Sequence, residues 1–180
     1  MGRKGGGSGA DDYKRLLYRL SALVREGGSI RKMAGVAQAS TEGLYAVAYE
    51  TFQKRQYEKA RVLFSQLVVY DHMDSRFIMG LAATLHKLER FEEALRMYAI
   101  VAMMKIDDPV PFMMSGDAQL ALGRAEDAME SYALAMSACL GTAHETVRER
   151  CMRRMEQAKK NASKEAGPAE GPAFSQPCAR

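Results

Sequence analysis

Small and aromatic side chains recur along the middle of the chain with a period of 34 residues. Ala60, Ala94 and Ala128 define the small positions, and an aromatic residue follows each of them four positions later. The aromatic residues are Phe64, Tyr98 and Tyr132. The units are interrupted near their middles, at Lys54-Arg55-Gln56, Leu88-Glu89-Arg90 and Leu122-Gly123-Arg124. The pattern predicts three units over residues 41–74, 75–108 and 109–142, each folded as two helices joined by a short turn.

This period and these residue types are typical of the tetratricopeptide repeat. In that repeat a small residue lets two antiparallel helices approach, and an aromatic residue one helical turn later fills the space between them. The chain departs from the consensus at the end of each unit, where His72, Ile106 and Leu140 replace the usual proline. Pro109 and Pro111 open the third unit, where a helix tolerates proline. We therefore expect an all-α fold of three tandem tetratricopeptide-like helix pairs, whose first helices line a concave groove.

A separate helical region is predicted before the repeats, over residues 10–40. Its apolar side chains lie at helical spacing and form one stripe, which stops at Gly27-Gly28. The stripe consists of Tyr13, Leu16, Leu17, Leu20 and Val24. Such a helix must bury its apolar face against a partner. Residues 1–9 are expected to be disordered.

A capping helix is predicted after the repeats, over residues 143–160. Thr142 and Glu145 form a capping-box pair at its start. Val147, Cys151 and Met155 lie on one face, which should cover the open end of the repeat stack. Residues 161–180 are rich in Pro, Gly, Ala and Ser and are expected to be disordered, because they cannot bury enough apolar surface.

The composition is that of a globular domain, with 47% hydrophobic and 27% charged residues and a net charge of +4. The main basic run, from Arg148 to Lys160, is interleaved with glutamates, which favours a solvated helix face over direct nucleic-acid binding. Three cysteines at no metal or disulfide spacing indicate free thiols in a reducing compartment. No run reaches the roughly 18 apolar residues of a membrane helix, so we expect a cytoplasmic protein without a membrane segment.

No pattern of residues indicates catalysis. The histidines are His72, His86 and His144, and Arg148 stands where a His-Glu-x-x-His zinc motif starting at His144 would need its second histidine. The glycine-rich run at residues 5–9 does not lead into the Lys-Ser or Lys-Thr of a phosphate-binding loop. The sequence therefore predicts a non-enzymatic protein that uses no metal and no other cofactor.

The first helix of each unit carries a second apolar stripe beside the one that its neighbours should bury. In the first unit this stripe consists of Tyr45, Tyr49 and Phe52. Its counterparts are Met79, Ala83 and His86, then Met113, Asp117 and Leu120. Two apolar faces need two partners, so the second stripes are predicted to form the floor of the groove. The alternative interpretation is that the N-terminal helix covers them as part of the core.

Three runs resemble the class II chaperones of type III secretion translocators. They are Gly43-Leu-Tyr-Ala-Val-Ala-Tyr49, Val69-Tyr-Asp-His-Met-Asp-Ser-Arg-Phe77 and Met79-Gly-Leu-Ala82. The turn Gly27-Gly28-Ser29-Ile30 is similar as well. The resemblance extends from about Tyr13 to Met155, and its Asp-His-x-Asp-Ser-Arg-Phe run is more specific than the generic repeat.

The resemblance implies a cytoplasmic bacterial chaperone that keeps two hydrophobic translocator proteins soluble before export, without hydrolysing ATP. It would hold an extended client segment in the concave groove. Together with the second stripes, the positions that match the family predict client contacts at Tyr45, Tyr49, Phe52, Tyr57, Tyr70, Met79, Leu81, Tyr98 and Met113. Tyr57 and Tyr98 also occupy consensus columns of the repeat, so a packing role is equally compatible with their positions. The resemblance further implies a weak homodimer through Leu16, Leu17 and Leu20.

Other functions stay open at this point. Some relatives also assist an AraC-type transcription activator, and a general repeat scaffold that joins two proteins is a further alternative. A clamp for the acidic C-terminus of a heat-shock chaperone is disfavoured, because such clamps need Lys, Asn and Arg on their first helices. This chain has Tyr45, Tyr49, Gly80, Val110 and Met114 at those positions.

Overall fold

The computed structural model describes residues 35, 37–139 and 145–165, with the backbone alone for residues 161–165. These residues form seven α-helices, and no strand occurs among them. The helices are α1 (Gln38–Gln53), α2 (Tyr57–Tyr70), α3 (Ser75–Lys87), α4 (Phe91–Met104), α5 (Pro109–Ala121), α6 (Ala125–Ala138) and α7 (Glu145–Glu165). The predicted all-α fold is confirmed. The N-terminal stripe that contains Leu16, Leu17 and Leu20 lies outside the described residues, as does Thr142.

The turns inside the three helix pairs coincide with the three predicted breaks. The middle residue of each turn adopts the left-handed conformation, with φ of 58° at Arg55, 60° at Glu89 and 77° at Gly123. The residue after it donates its backbone N–H to a carbonyl five positions earlier, as from Gln56 to Thr51 at 3.1 Å. This is the Schellman ending of a helix, which normally favours glycine at the left-handed position. Only the third turn has that glycine.

Replacing Glu89 by glycine is therefore expected to stabilise the chain by roughly 0.5–1 kcal/mol, because glycine adopts a left-handed backbone without a steric cost. Gly123→Ala is the matched opposite change and should lower stability by a similar amount. Urea unfolding of the two variants measures both effects, and shifts of the same sign would contradict the assignment of these turns.

The described helices form two compact units, α1–α4 and α5–α7, which are divided between residues 104 and 105. In the first unit α2 packs against both α1 and α3, and α3 packs against α4. One core cluster consists of Ala48, Ala60, Phe64, Leu67 and Phe77. Phe64 fills the space opposite Gly80 of α3, where a Cβ atom added to that glycine would lie 2.2 Å from the ring. The small and aromatic columns of the repeat therefore have the packing roles that their period predicts.

In the second unit α6 packs against α5 and α7, and α5 also contacts α7. Its core cluster consists of Met113, Ala128, Tyr132, Ala135 and Cys151. Val147 and Met155 pack against this cluster, so the predicted apolar face of the capping helix is confirmed. The predicted end of that helix at residue 160 is wrong, because α7 continues to Glu165. Residues 161–165 contain neither glycine nor proline, and nothing in their backbone opposes the helix.

Acidic residues lie at the start of most of the described helices. Asp74 caps α3 by accepting the backbone N–H of Arg76 at 2.9 Å, and Asp108 caps α5 by accepting that of Val110 at 2.9 Å. Pro109 occupies the first turn of α5. A backbone N–H at this position has no acceptor within the helix, so proline loses no hydrogen bond there. Among the described helices, none is both long and apolar enough to span a membrane.

Candidate functional site

An aromatic pair on α1 forms the centre of the predicted binding surface. Tyr45 and Tyr49 lie one helical turn apart, and their rings stack with centroids 6.4 Å apart and an interplanar angle of 28°. Tyr45 is half-buried, with its ring centroid 6.1 Å from that of Phe64 and 5.6 Å from that of Phe77. Tyr49 is 51% exposed. The core thus supports the inner ring, and the outer ring faces solvent.

A second aromatic pair follows at the end of the same helix. Phe52 of α1 and Tyr57 of α2 are both half-buried, and their rings meet edge to face with centroids 5.5 Å apart. Phe52 also packs against the core cluster of the first unit. Tyr45, Tyr49 and Phe52 lie at helical spacing, so these three rings are on one side of α1.

Three other predicted contacts are partly buried. The Tyr70 hydroxyl lies 3.2 Å from Nε2 of Gln66, which donates a hydrogen bond to it. Leu81 packs against the core cluster of the first unit, and Met79 is half-buried. Each of these side chains retains some exposed surface. Their contact with a client stays a prediction.

Tyr98 and Met113 have packing roles in this structure. Tyr98 is fully buried, and its ring meets that of His86 edge to face with centroids 6.1 Å apart. Met113 is 5% exposed and belongs to the core cluster of the second unit. Neither side chain presents enough surface for a client to contact. Tyr98 occupies a consensus column of the repeat, and this column determines its place between the helices.

The third unit does not present an open second stripe, contrary to the sequence-based expectation. The Asp117 side chain is only 8% exposed and accepts hydrogen bonds from the Tyr132 hydroxyl at 2.7 Å and from Nη2 of Arg150 at 2.8 Å. Arg154 also forms an ion pair with it at 3.2 Å. Burial and the bond to Asp117 raise the pKa of the Tyr132 hydroxyl, which therefore remains a proton donor. The two arginines are 46% and 40% exposed, in agreement with the predicted solvated face, and they also connect α7 to α5.

His, Cys, Asp and Glu are the side-chain types of the described ranges that could ligate a metal ion. No group of His, Cys, Asp and Glu within those ranges is arranged to hold a metal ion. Cys139 and Cys151 are buried and form no disulfide, and burial raises the pKa of both thiols, that of Cys151 to about 11. Both thiols are therefore protonated near neutral pH and serve as small apolar residues of the second unit.

Comparison with known proteins agrees with this architecture. The tetratricopeptide repeat family matches residues 41–74 and 75–102. Chaperone protein SicA of Salmonella typhimurium is 29% identical over 121 residues, which cover 67% of this chain and 73% of SicA. The solved translocator chaperone SycD of Yersinia enterocolitica superposes with a TM-score of 0.69 at 27% identity, covering 72% of this chain and 98% of SycD.

In sequence and fold the chain is similar to type III secretion translocator chaperones. PcrH of Pseudomonas aeruginosa is another structure of similar fold, with a TM-score of 0.68 at 27% identity over 71% of this chain and 97% of PcrH. PcrH has been solved with the chaperone-binding regions of PopD and of PopB. PcrH thus binds segments of two other proteins, and SycD has also been solved as a dimer.

Arg76 belongs to the run Val69–Phe77 that resembles translocator chaperones, but its contacts could not be predicted from the sequence. Its guanidinium carbon lies 5.3 Å from the centroid of the Tyr45 ring. It also forms an ion pair with Glu42 at 2.7 Å. The sequence contains one indication of this ion pair. Glu42 and Arg76 have opposite charges and are separated by 34 residues, so they occupy equivalent positions of adjacent repeats.

Proposed function

We propose that this chain is a cytoplasmic bacterial chaperone that binds an extended segment of a type III secretion translocator protein. The observation that carries the proposal is the stacked pair Tyr45 and Tyr49, whose inner ring rests on the core while the outer ring is half exposed. The complexes of PcrH with segments of two different proteins support the idea of two clients. The protein acts by binding alone, without catalysis and without ATP.

The physical basis is the burial of aromatic surface that the core already holds in place. A side chain that is fixed before binding loses little conformational freedom when a ligand covers it. Each well-buried anchor contributes roughly 1.5–3 kcal/mol before ordering costs, so three or four anchors suffice for micromolar binding. The anchors that we propose in the first unit are Tyr45, Tyr49, Phe52 and Tyr57. Tyr70, Met79 and Leu81 are proposed to flank them.

Homodimerisation through the N-terminal stripe is a further part of the proposal. Three of its residues, Leu16, Leu17 and Leu20, are leucines at helical spacing. The dimer of SycD supports the idea that this chain dimerises. We propose a weak dimer, because three leucines bury little surface area compared with a permanent interface between subunits.

Tyr49→Ala is expected to weaken the binding of a translocator peptide about tenfold, which corresponds to roughly 1.4 kcal/mol. Tyr49 is half exposed, so its removal leaves no cavity in the core. Fluorescence anisotropy with a labelled peptide from the chaperone-binding region of a translocator measures the affinity.

Val62→Ala is the matched control for this experiment. Val62 is 55% exposed on α2 of the same unit and lies outside the proposed surface. The control should bind the peptide like the unchanged chain. Equal affinities of the Tyr49→Ala and Val62→Ala variants would refute the placement of the surface on α1.

A further inference from the structure

Arg76, in the first turn of α3, connects this helix to α1. Its guanidinium donates hydrogen bonds to Glu42 of α1, at 2.7 and 3.3 Å, and to Asp74 at 2.6, 3.1 and 3.2 Å. Asp74 is itself the cap of α3. These hydrogen bonds to Asp74 and Glu42 raise the pKa of the guanidinium, which is therefore permanently charged. Two carboxylates on two different elements thus fix the position of one cation.

The same guanidinium lies against two aromatic rings. Its central carbon is 5.3 Å from the centroid of the Tyr45 ring and 5.5 Å from that of the Phe77 ring. These separations are within the range of cation–π attraction. Tyr45 in turn stacks on Tyr49. A continuous series of contacts therefore leads from the carboxylates of Glu42 and Asp74, through Arg76, to the exposed ring of Tyr49.

The energetic role of these contacts is orientation more than overall stability. The side chains of Arg76 and Glu42 are 46% and 42% exposed, and ion pairs as exposed as this contribute little to folding. The planar guanidinium, however, has one preferred geometry between two carboxylates, and a ring beside it is held in one orientation. Most of the five donors of Arg76 are already used within the chain, so few remain for a direct bond to a client.

We propose that Arg76 is a positioning residue of the client-binding surface, which holds the Tyr45 ring in the orientation that a client segment requires. The inference rests on the proposed function and assigns a role to a side chain that does not itself contact the client. Glu42 and Asp74 act in turn as the groups that position Arg76.

The test compares three arginine variants in the full chain, with the same labelled translocator peptide. Arg76→Ala is expected to weaken binding about fivefold, as expected for the loss of a partly exposed cation–π contact and its ordering effect. Arg76→Lys should weaken binding about threefold, because an ammonium keeps the charge but loses the planar fork. Arg90→Ala is the control, since Arg90 is 39% exposed in a pair with Glu93 of the same unit. It should leave the affinity unchanged.

A double-mutant cycle with Tyr45 separates positioning from a general structural effect. In a Tyr45→Leu background, Arg76→Ala should have little further effect on affinity, because its action passes through the Tyr45 ring. Independent, additive losses from the two changes would overturn the proposal, as would an affinity of Arg76→Ala equal to that of the unchanged chain. Absence of peptide binding by the unchanged chain would instead refute the proposed function.

Discussion

Gly80→Ala is expected to destabilise the chain by about 2 kcal/mol, although the same change in a helix normally stabilises by roughly 1 kcal/mol. A Cβ at position 80 would lie 2.2 Å from Cε1 of Phe64 and 2.6 Å from its Cδ1. Phe64 is 1% exposed and belongs to the core cluster of the first unit, so its ring has no free space to enter. The midpoint of urea unfolding measures the change.

Gly43→Ala is the matched control for this prediction. Gly43 also lies inside a helix of the first unit, but nothing is within 4 Å of the position that its Cβ would take. This variant should gain up to about 1 kcal/mol from helix propensity alone. Adding Phe64→Leu to Gly80→Ala should recover part of the lost stability. Two glycine variants of equal stability would contradict the close approach of α2 and α3.

Asp117→Leu is expected to destabilise the second unit by about 2–3 kcal/mol, because it leaves polar groups without their acceptor. The Tyr132 hydroxyl, at 2.7 Å from the carboxylate, is buried and would lose its bond. Arg150 and Arg154 are 46% and 40% exposed and can turn towards water, which limits the loss. Thermal unfolding monitored by circular dichroism measures the effect.

Two further variants make this prediction specific. Asp117→Asn keeps the volume and an acceptor oxygen, so it should lose less stability than Asp117→Leu. Glu130→Ala removes an exposed carboxylate from α6 of the same unit and should change stability by less than about 0.5 kcal/mol. If Asp117→Leu is as mild as Glu130→Ala, the carboxylate does not hold α7 to its neighbours.

The helix pairs follow from the sequence because their signal is local and repeated. Ala60 and Phe64 predict one close approach between helices, and the same combination occurs twice more at the same separation. The breaks at residues 54–56, 88–90 and 122–124 are equally local, since a left-handed residue within three positions ends each helix. The apolar face of α7 could likewise be predicted from helical spacing.

The candidate site was harder to predict, because helical spacing alone does not show which neighbour covers an apolar face. Tyr45 and Met113 occupy similar positions in their repeats, but Met113 is buried in the core of the second unit. Asp117 is paired with Arg150, a residue 33 positions later on another helix. No local pattern indicates such a pair, because an arginine on a charged helix normally faces water.

Photo-crosslinking tests the central claim most directly. Two variants of the chain carry p-benzoylphenylalanine at position 49 or at position 62 and are co-expressed with a translocator protein. Both positions are about half exposed in the first unit, on α1 and α2 respectively. We predict a crosslink from position 49 to the translocator and none from position 62. A crosslink from position 62 alone, or from neither position in a complex that nevertheless forms, would contradict the account.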